Sequence, residues 1–145
     1  MQDEMELASL CTITGTLGSL AQAFLNANKF ETSIQLLDEA SGLIEENSER
    51  YCESEIYRIR AEVFQQMGDE TAAELSYQKA LEVSRQQQAR SWELRAATGL
   101  ARMWQRQGKQ KEAHALLSDV YNWFTEGFET PDLLAANSLL AELAP

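Results

Sequence analysis

Residues 68–81 read GDETAAELSYQKAL. A glycine is followed five residues later by Ala73, then Tyr77, then Ala80, and spacings of four and three place these three on one side of a helix. Gly68 stands where a preceding helix has to stop, because glycine takes a left-handed backbone at little cost. The stretch therefore reads as the turn and second helix of a helical hairpin. The same arrangement recurs forty residues on in GKQKEAHALLSDV (108–120), with Gly108, Ala113, Leu117 and Val120. It recurs forty residues back in NKFETSIQLLDEA (28–40), with Asn28, Ser33, Leu37 and Ala40. Asparagine is the next best left-handed residue after glycine.

The residues before each turn repeat as well: Leu17, Ala21 and Phe24, then Tyr57, Ala61 and Phe64, then Ala97, Ala101 and Trp104. Small residues let the two helices of a hairpin approach closely, and bulky ones fill the space beside them. This pattern resembles the tetratricopeptide repeat, lengthened from its usual ~34 residues. It predicts an all-α fold, a right-handed solenoid of three hairpins over roughly 5–47, 48–88 and 89–128, closed by a capping helix at 131–143. Seven helices are expected near 4–27, 30–47, 50–67, 70–88, 90–107, 109–125 and 131–143, in a single domain. Ser48 is expected to cap the third helix. Gly15, Gly18 and three threonines weaken the first.

SERYCESEIYRIRAEVF (48–64), residues 78–117, RSWELRAATGLARMW (90–104) and WFTEGFETPDL (123–133) are similar to the C-terminal tails of large bacterial signalling proteins. In that family a nucleotide cyclase or Ser/Thr kinase domain precedes an AAA-like, STAND-type ATPase, and tetratricopeptide repeats finish the chain. The resemblance implies a regulatory, protein-binding tail; before residue 45 it weakens, where Asn28 and Ser33 replace the family's Gly and Ala. No G-x-x-x-x-G-K-[ST] phosphate loop occurs, so the chain inherits no ATPase or cyclase activity from it.

Composition excludes several classes of function. The 145 residues carry a net charge of −11, the wrong sign for nucleic acid or an anionic membrane surface. No run of ~18 apolar residues occurs, and MQDEMEL lacks the basic and apolar segments of a signal peptide. A cytoplasmic protein is expected. Cys11 and Cys52 have no metal-ligand spacing and read as buried structural thiols on apolar helix faces. His114, the single histidine, has no orienting carboxylate or nucleophile at a usable spacing. No catalytic residue, metal or cofactor is assigned, and an enzyme is not expected.

The first helix of each hairpin lines the concave side of a tetratricopeptide array. The face opposite the core stripe offers Gln22, Leu25 and Asn26, then Glu55, Arg58, Glu62, Gln65 and Gln66, then Arg95, Thr98, Arg102, Gln105 and Arg106, with Ala135, Ser138 and Glu142 from the last helix. Arginine holds carboxylates bidentately, and the amides accept and donate to an extended backbone. The expected partner is an acidic segment or C-terminal carboxylate of a protein or peptide. The alternatives are self-association of two copies through exposed ends of the array, or a scaffold role in a longer ATPase or cyclase. In YNWFTEGFETPDLL (121–134), Tyr121, Trp123 and Phe124 are expected to end the sixth helix. With Phe128 they would bury themselves between that hairpin and the last helix, with Thr130 as N-cap and Pro131 in the first turn.

Overall fold

The computed structural model describes residues 2–145, with side chains from Ile13 onward, and all of its regular structure is helical. Seven helices follow in order: α1 (Gln2–Asn26), α2 (Phe30–Asn47), α3 (Glu53–Met67), α4 (Glu70–Gln86), α5 (Arg90–Arg106), α6 (Gln110–Tyr121) and α7 (Pro131–Leu143). Two compact units, residues 1–80 and 81–145, divide the chain within α4.

The turns are built to one plan. The N–H groups of Lys29, Asp69 and Lys109 bond the carbonyls of Phe24, Phe64 and Trp104 at 2.8, 2.9 and 2.9 Å. One residue earlier, Asn28, Gly68 and Gly108 bond Leu25, Gln65 and Gln105 at 2.9–3.1 Å. This paired closure is a Schellman motif, and it requires a left-handed residue at its centre. The φ angles there are 59°, 86° and 79°. Ser48 and Gln88 also have positive φ, so left-handed residues fall at 28, 48, 68, 88 and 108, each twenty after the last. Ser48 thus closes α2 rather than capping α3, which starts three residues later than expected. Its N-cap is Cys52, which makes no side-chain cap.

In residues 1–80 the core is made by Ala21 and Leu25 of α1, Leu37, Ala40 and Ile44 of α2, and Ile56, Ile59 and Val63 of α3. Small residues stand where helices come closest. A Cβ on Gly18 would lie 3.2 Å from Ile56 Cδ1, so this glycine, which weakens α1 locally, is what admits α3. Ser33 Oγ donates to the Ala21 carbonyl across the α1–α2 hairpin at 2.8 Å, and Ser54 Oγ donates to Ala80 at 2.9 Å. In residues 81–145, Leu94, Ala97, Leu100, Ala101 and Met103 of α5 are buried, with Ala113, Leu117 and Val120 of α6 and Leu133, Ala136, Leu139 and Leu143 of α7. The hairpin positions read from the sequence (Ser33, Ala73, Ala113; Leu37, Tyr77, Leu117; Ala40, Ala80, Val120) are all buried.

The aromatic stretch is arranged differently from expectation. Helix α6 ends at Tyr121, because Asn122, Trp123, Phe124 and Thr125 are all weak helix formers. Trp123 therefore leaves the helix and is 55% exposed, and Phe128 is 42% exposed. Trp123 meets Phe124 edge-on at 5.2 Å, and the Arg90 guanidinium lies 5.1 Å from its ring centre. Phe128 rests against Tyr121 at 5.8 Å. Docking of α7 falls to its own apolar row. Thr130 precedes Pro131 in an extended conformation, but its Oγ1 donates to the Gly127 carbonyl at 2.7 Å instead of capping the helix. Trp123→Ala is accordingly expected to cost about 1 kcal/mol or less, the worth of one exposed cation–π contact and a ring edge. Urea unfolding reads this directly, and a loss above about 3 kcal/mol would restore the buried-staple reading.

Candidate functional site

The expected groove residues fall into two groups, one in each unit. In residues 1–80, α3 presents Glu55, Arg58 and Glu62 at successive turns, with Gln22 and Asn26 supplied by α1. Arg58 is only 7% exposed. It grips Glu55 with two bonds, from Nε at 3.0 Å and Nη2 at 3.1 Å. Its Nη1 donates to Glu62, and Nη2 also reaches Gln22 Oε1 at 3.4 Å. Gln22 Nε2 bridges to Glu62 Oε2 at 3.3 Å and to Asn26 Oδ1 at 3.2 Å. Burial works against the Arg58 charge, but the Glu55 bonds and the two nearby carboxylates outweigh it and raise the pKa above the ordinary arginine value. The guanidinium is thus permanently charged and its donors are committed within the protein. Gln65 accepts from Tyr77 at 3.4 Å, and Gln66 is exposed. This group is a closed polar network with Arg58 at its centre.

In residues 81–145 the groove residues lie along α5. Arg95 faces Asp132 of α7 at 3.7 Å, and Gln105 donates to Glu142 of α7 at 3.2 Å. Arg102 and Arg106, four residues apart on the same side, are exposed. Six of the eight arginines are ion-paired: Arg50, Arg58, Arg60, Arg85, Arg90 and Arg95. Among the described residues, Arg102 and Arg106 make no ion pair. Lys109 and Lys111 extend the basic run through the turn into α6, and the Lys109 ammonium lies 5.9 Å from the Trp104 ring centre. Residues 94–111 hold five cations and no acid. Charge is divided unevenly, with a net −10 in residues 1–80 against −1 in residues 81–145.

Two features escape a reading of the sequence alone. Glu93 is 4% exposed and is held by Arg85 Nε at 2.9 Å and Arg90 Nη1 at 3.2 Å. The Arg90 pair is a visible i, i+3 spacing, but burial comes from the α4–α5 turn that brings Arg85 alongside. The pairings of Arg95 and Gln105 depend on where α7 docks, which no local signal encodes. His114 is half-buried on α6, beside an open depression of about 640 Å³ lined also by Gln110, Lys111, Leu143, Ala144 and Pro145. Cys52 is half-buried at the start of α3 rather than on an apolar helix face, and the Cys11 side chain lies outside the described residues. No group of three or more metal-ligating side chains occurs among the described residues, and no helix among them is long and apolar enough to cross a membrane.

Comparison with family models and with curated proteins returns no match.

Proposed function

We propose that the chain is a non-catalytic protein-interaction module of tetratricopeptide type, and that the exposed side of α5 and the following turn takes an acidic segment of a partner protein. The repeat reading is supported by the identical turn closures at Asn28, Gly68 and Gly108 and by the burial of the small positions facing them. One observation carries the binding surface. In a chain where carboxylates outnumber cations and every other arginine is matched, Arg102 and Arg106 stand exposed without an ion pair among the described residues. A guanidinium left in water at such a position breaks no existing ion pair on meeting a carboxylate and gains a forked, charge-assisted bond. Arg58 has no such capacity, since its donors are already occupied by Glu55, Glu62 and Gln22.

Fluorescence anisotropy with a labelled oligoglutamate peptide tests this. Wild-type protein is expected to bind with an affinity that falls as salt rises, and Arg102→Glu with Arg106→Glu to weaken binding by at least about tenfold. Equal binding by wild type and the double variant would sink the proposal.

A further inference from the structure

The acidic segment has a source within the same sequence. Residues 30–49 carry six carboxylates and no cation, the reverse of residues 94–111 with five cations and no acid. Most of the six lie on α2. Asp38 is taken by Arg60 at 2.8 Å, and Glu45 is weakly held by Arg50 at 3.6 Å. Glu31, Glu39 and Glu46 are exposed and make no ion pair among the described residues. Their spacings of eight and seven put all three within about 80° of one another around the helix, at 100° per residue. Glu45 and Glu46 moreover sit in the last turn of α2, where no basic residue is present. Negative charge there opposes the helix dipole, and an external cation relieves both the dipole and the carboxylates.

From this match we propose that the occupant of the α5–α6 surface is α2 of a second copy of the chain. Arg102 and Arg106 of one copy meet Glu39 and Glu46 of the other, with Lys109 and Lys111 at the edge of the contact. The proposal rests on the reading of α5 as an acceptor of acidic segments and names its ligand. Two copies each bearing −11 repel at a distance. That repulsion is screened beyond a Debye length of about 10 Å in ~0.1 M salt, whereas contacting pairs are screened less. Association therefore has an optimum in salt, weaker at ~0.01 M from net repulsion and weaker at ~1 M from loss of the pairs.

Sedimentation equilibrium of the full chain across that salt range tests the proposal. Wild type is expected to associate, most strongly near ~0.1 M. Arg102→Glu with Arg106→Glu, and separately Glu39→Lys with Glu46→Lys, are each expected to sediment as monomers. An equimolar mixture of the two variants should associate again, because each supplies the sign the other has lost. Wild type that stays monomeric throughout, variants that associate like wild type, or a mixture that fails to recover would each overturn the proposal. Oligoglutamate binding separates this from failure of the underlying reading. If wild type is monomeric yet binds oligoglutamate through Arg102 and Arg106, the acceptor surface stands and the second copy is excluded. If both are lost, the surface itself is wrong.

Discussion

Tyr77→Ala is expected to lower the unfolding free energy by about 3–5 kcal/mol, the cost of emptying an aromatic site in a well-packed interior. Tyr77 is the largest fully buried side chain among the described residues, at 1% exposure. It occupies the bulky position of the α4 hairpin that Leu37 and Leu117 occupy in the others. Its hydroxyl donates to Gln65 Oε1 across a long 3.4 Å, so the ring and not the hydroxyl carries most of the loss. Tyr77→Phe is then expected to cost only about 1 kcal/mol. Tyr77→Leu, which installs the residue used at the equivalent positions, should cost less than half as much as alanine. Chemical denaturation of the three variants checks the order. If Tyr77→Leu is as damaging as Tyr77→Ala, the three hairpins are not interchangeable at this position.

Arg58→Ala is expected to destabilise the protein by about 3 kcal/mol, at the lower end for breaking a buried ion pair because the Glu62 side chain is 32% exposed and keeps some water. The damage comes less from the lost bonds than from what stays behind: the Glu55 and Glu62 carboxylates, left without the guanidinium that bonds them both. Neutralising them in the same background, as Arg58→Met with Glu55→Gln and Glu62→Gln, should recover most of the stability. Arg58→Lys is expected to fall between, since an ammonium cannot hold Glu55 bidentately while reaching Glu62. A raised arginine pKa contributes stability that is fully present at and around neutral pH and is lost only in strong alkali. The guanidinium side of the network therefore adds no pH dependence near neutrality. A loss under about 1 kcal/mol for Arg58→Ala would mean that the network is dispensable.

Features that repeat along the chain were legible, because each is encoded three times by residues with few physical alternatives. Asn28, Gly68 and Gly108 announce left-handed turns, and Ala21, Ala61 and Ala101 announce close approach; helices α2, α4, α5 and α7 begin where the spacing puts them. Two of the misreadings fall outside the pattern that is encoded three times. Ser48 looks like a cap because serine is a good one, yet the twenty-residue spacing of turns claims it for the end of α2. The aromatics at 121–128 look buried because they are large and apolar, but a helix that stops at Tyr121 carries Trp123 into solvent. At the candidate site, the basic character of α5 is plain in residues 94–111. The distinction between Arg58, enclosed by its own carboxylates, and Arg102, open to a partner, depends on which neighbours the fold delivers.

The left-handed residues at 28, 48, 68, 88 and 108 also bear on how such a chain can change length. One residue inserted within a helix turns everything after it by about 100° and carries an apolar stripe out of its core. A block of forty gained or lost between two of these joints leaves each remaining helix its own start, stop and buried side. The punctuation of the backbone thus tolerates changes of length between joints better than within helices, and the charge patterns on α2 and α5 can vary without touching the joints.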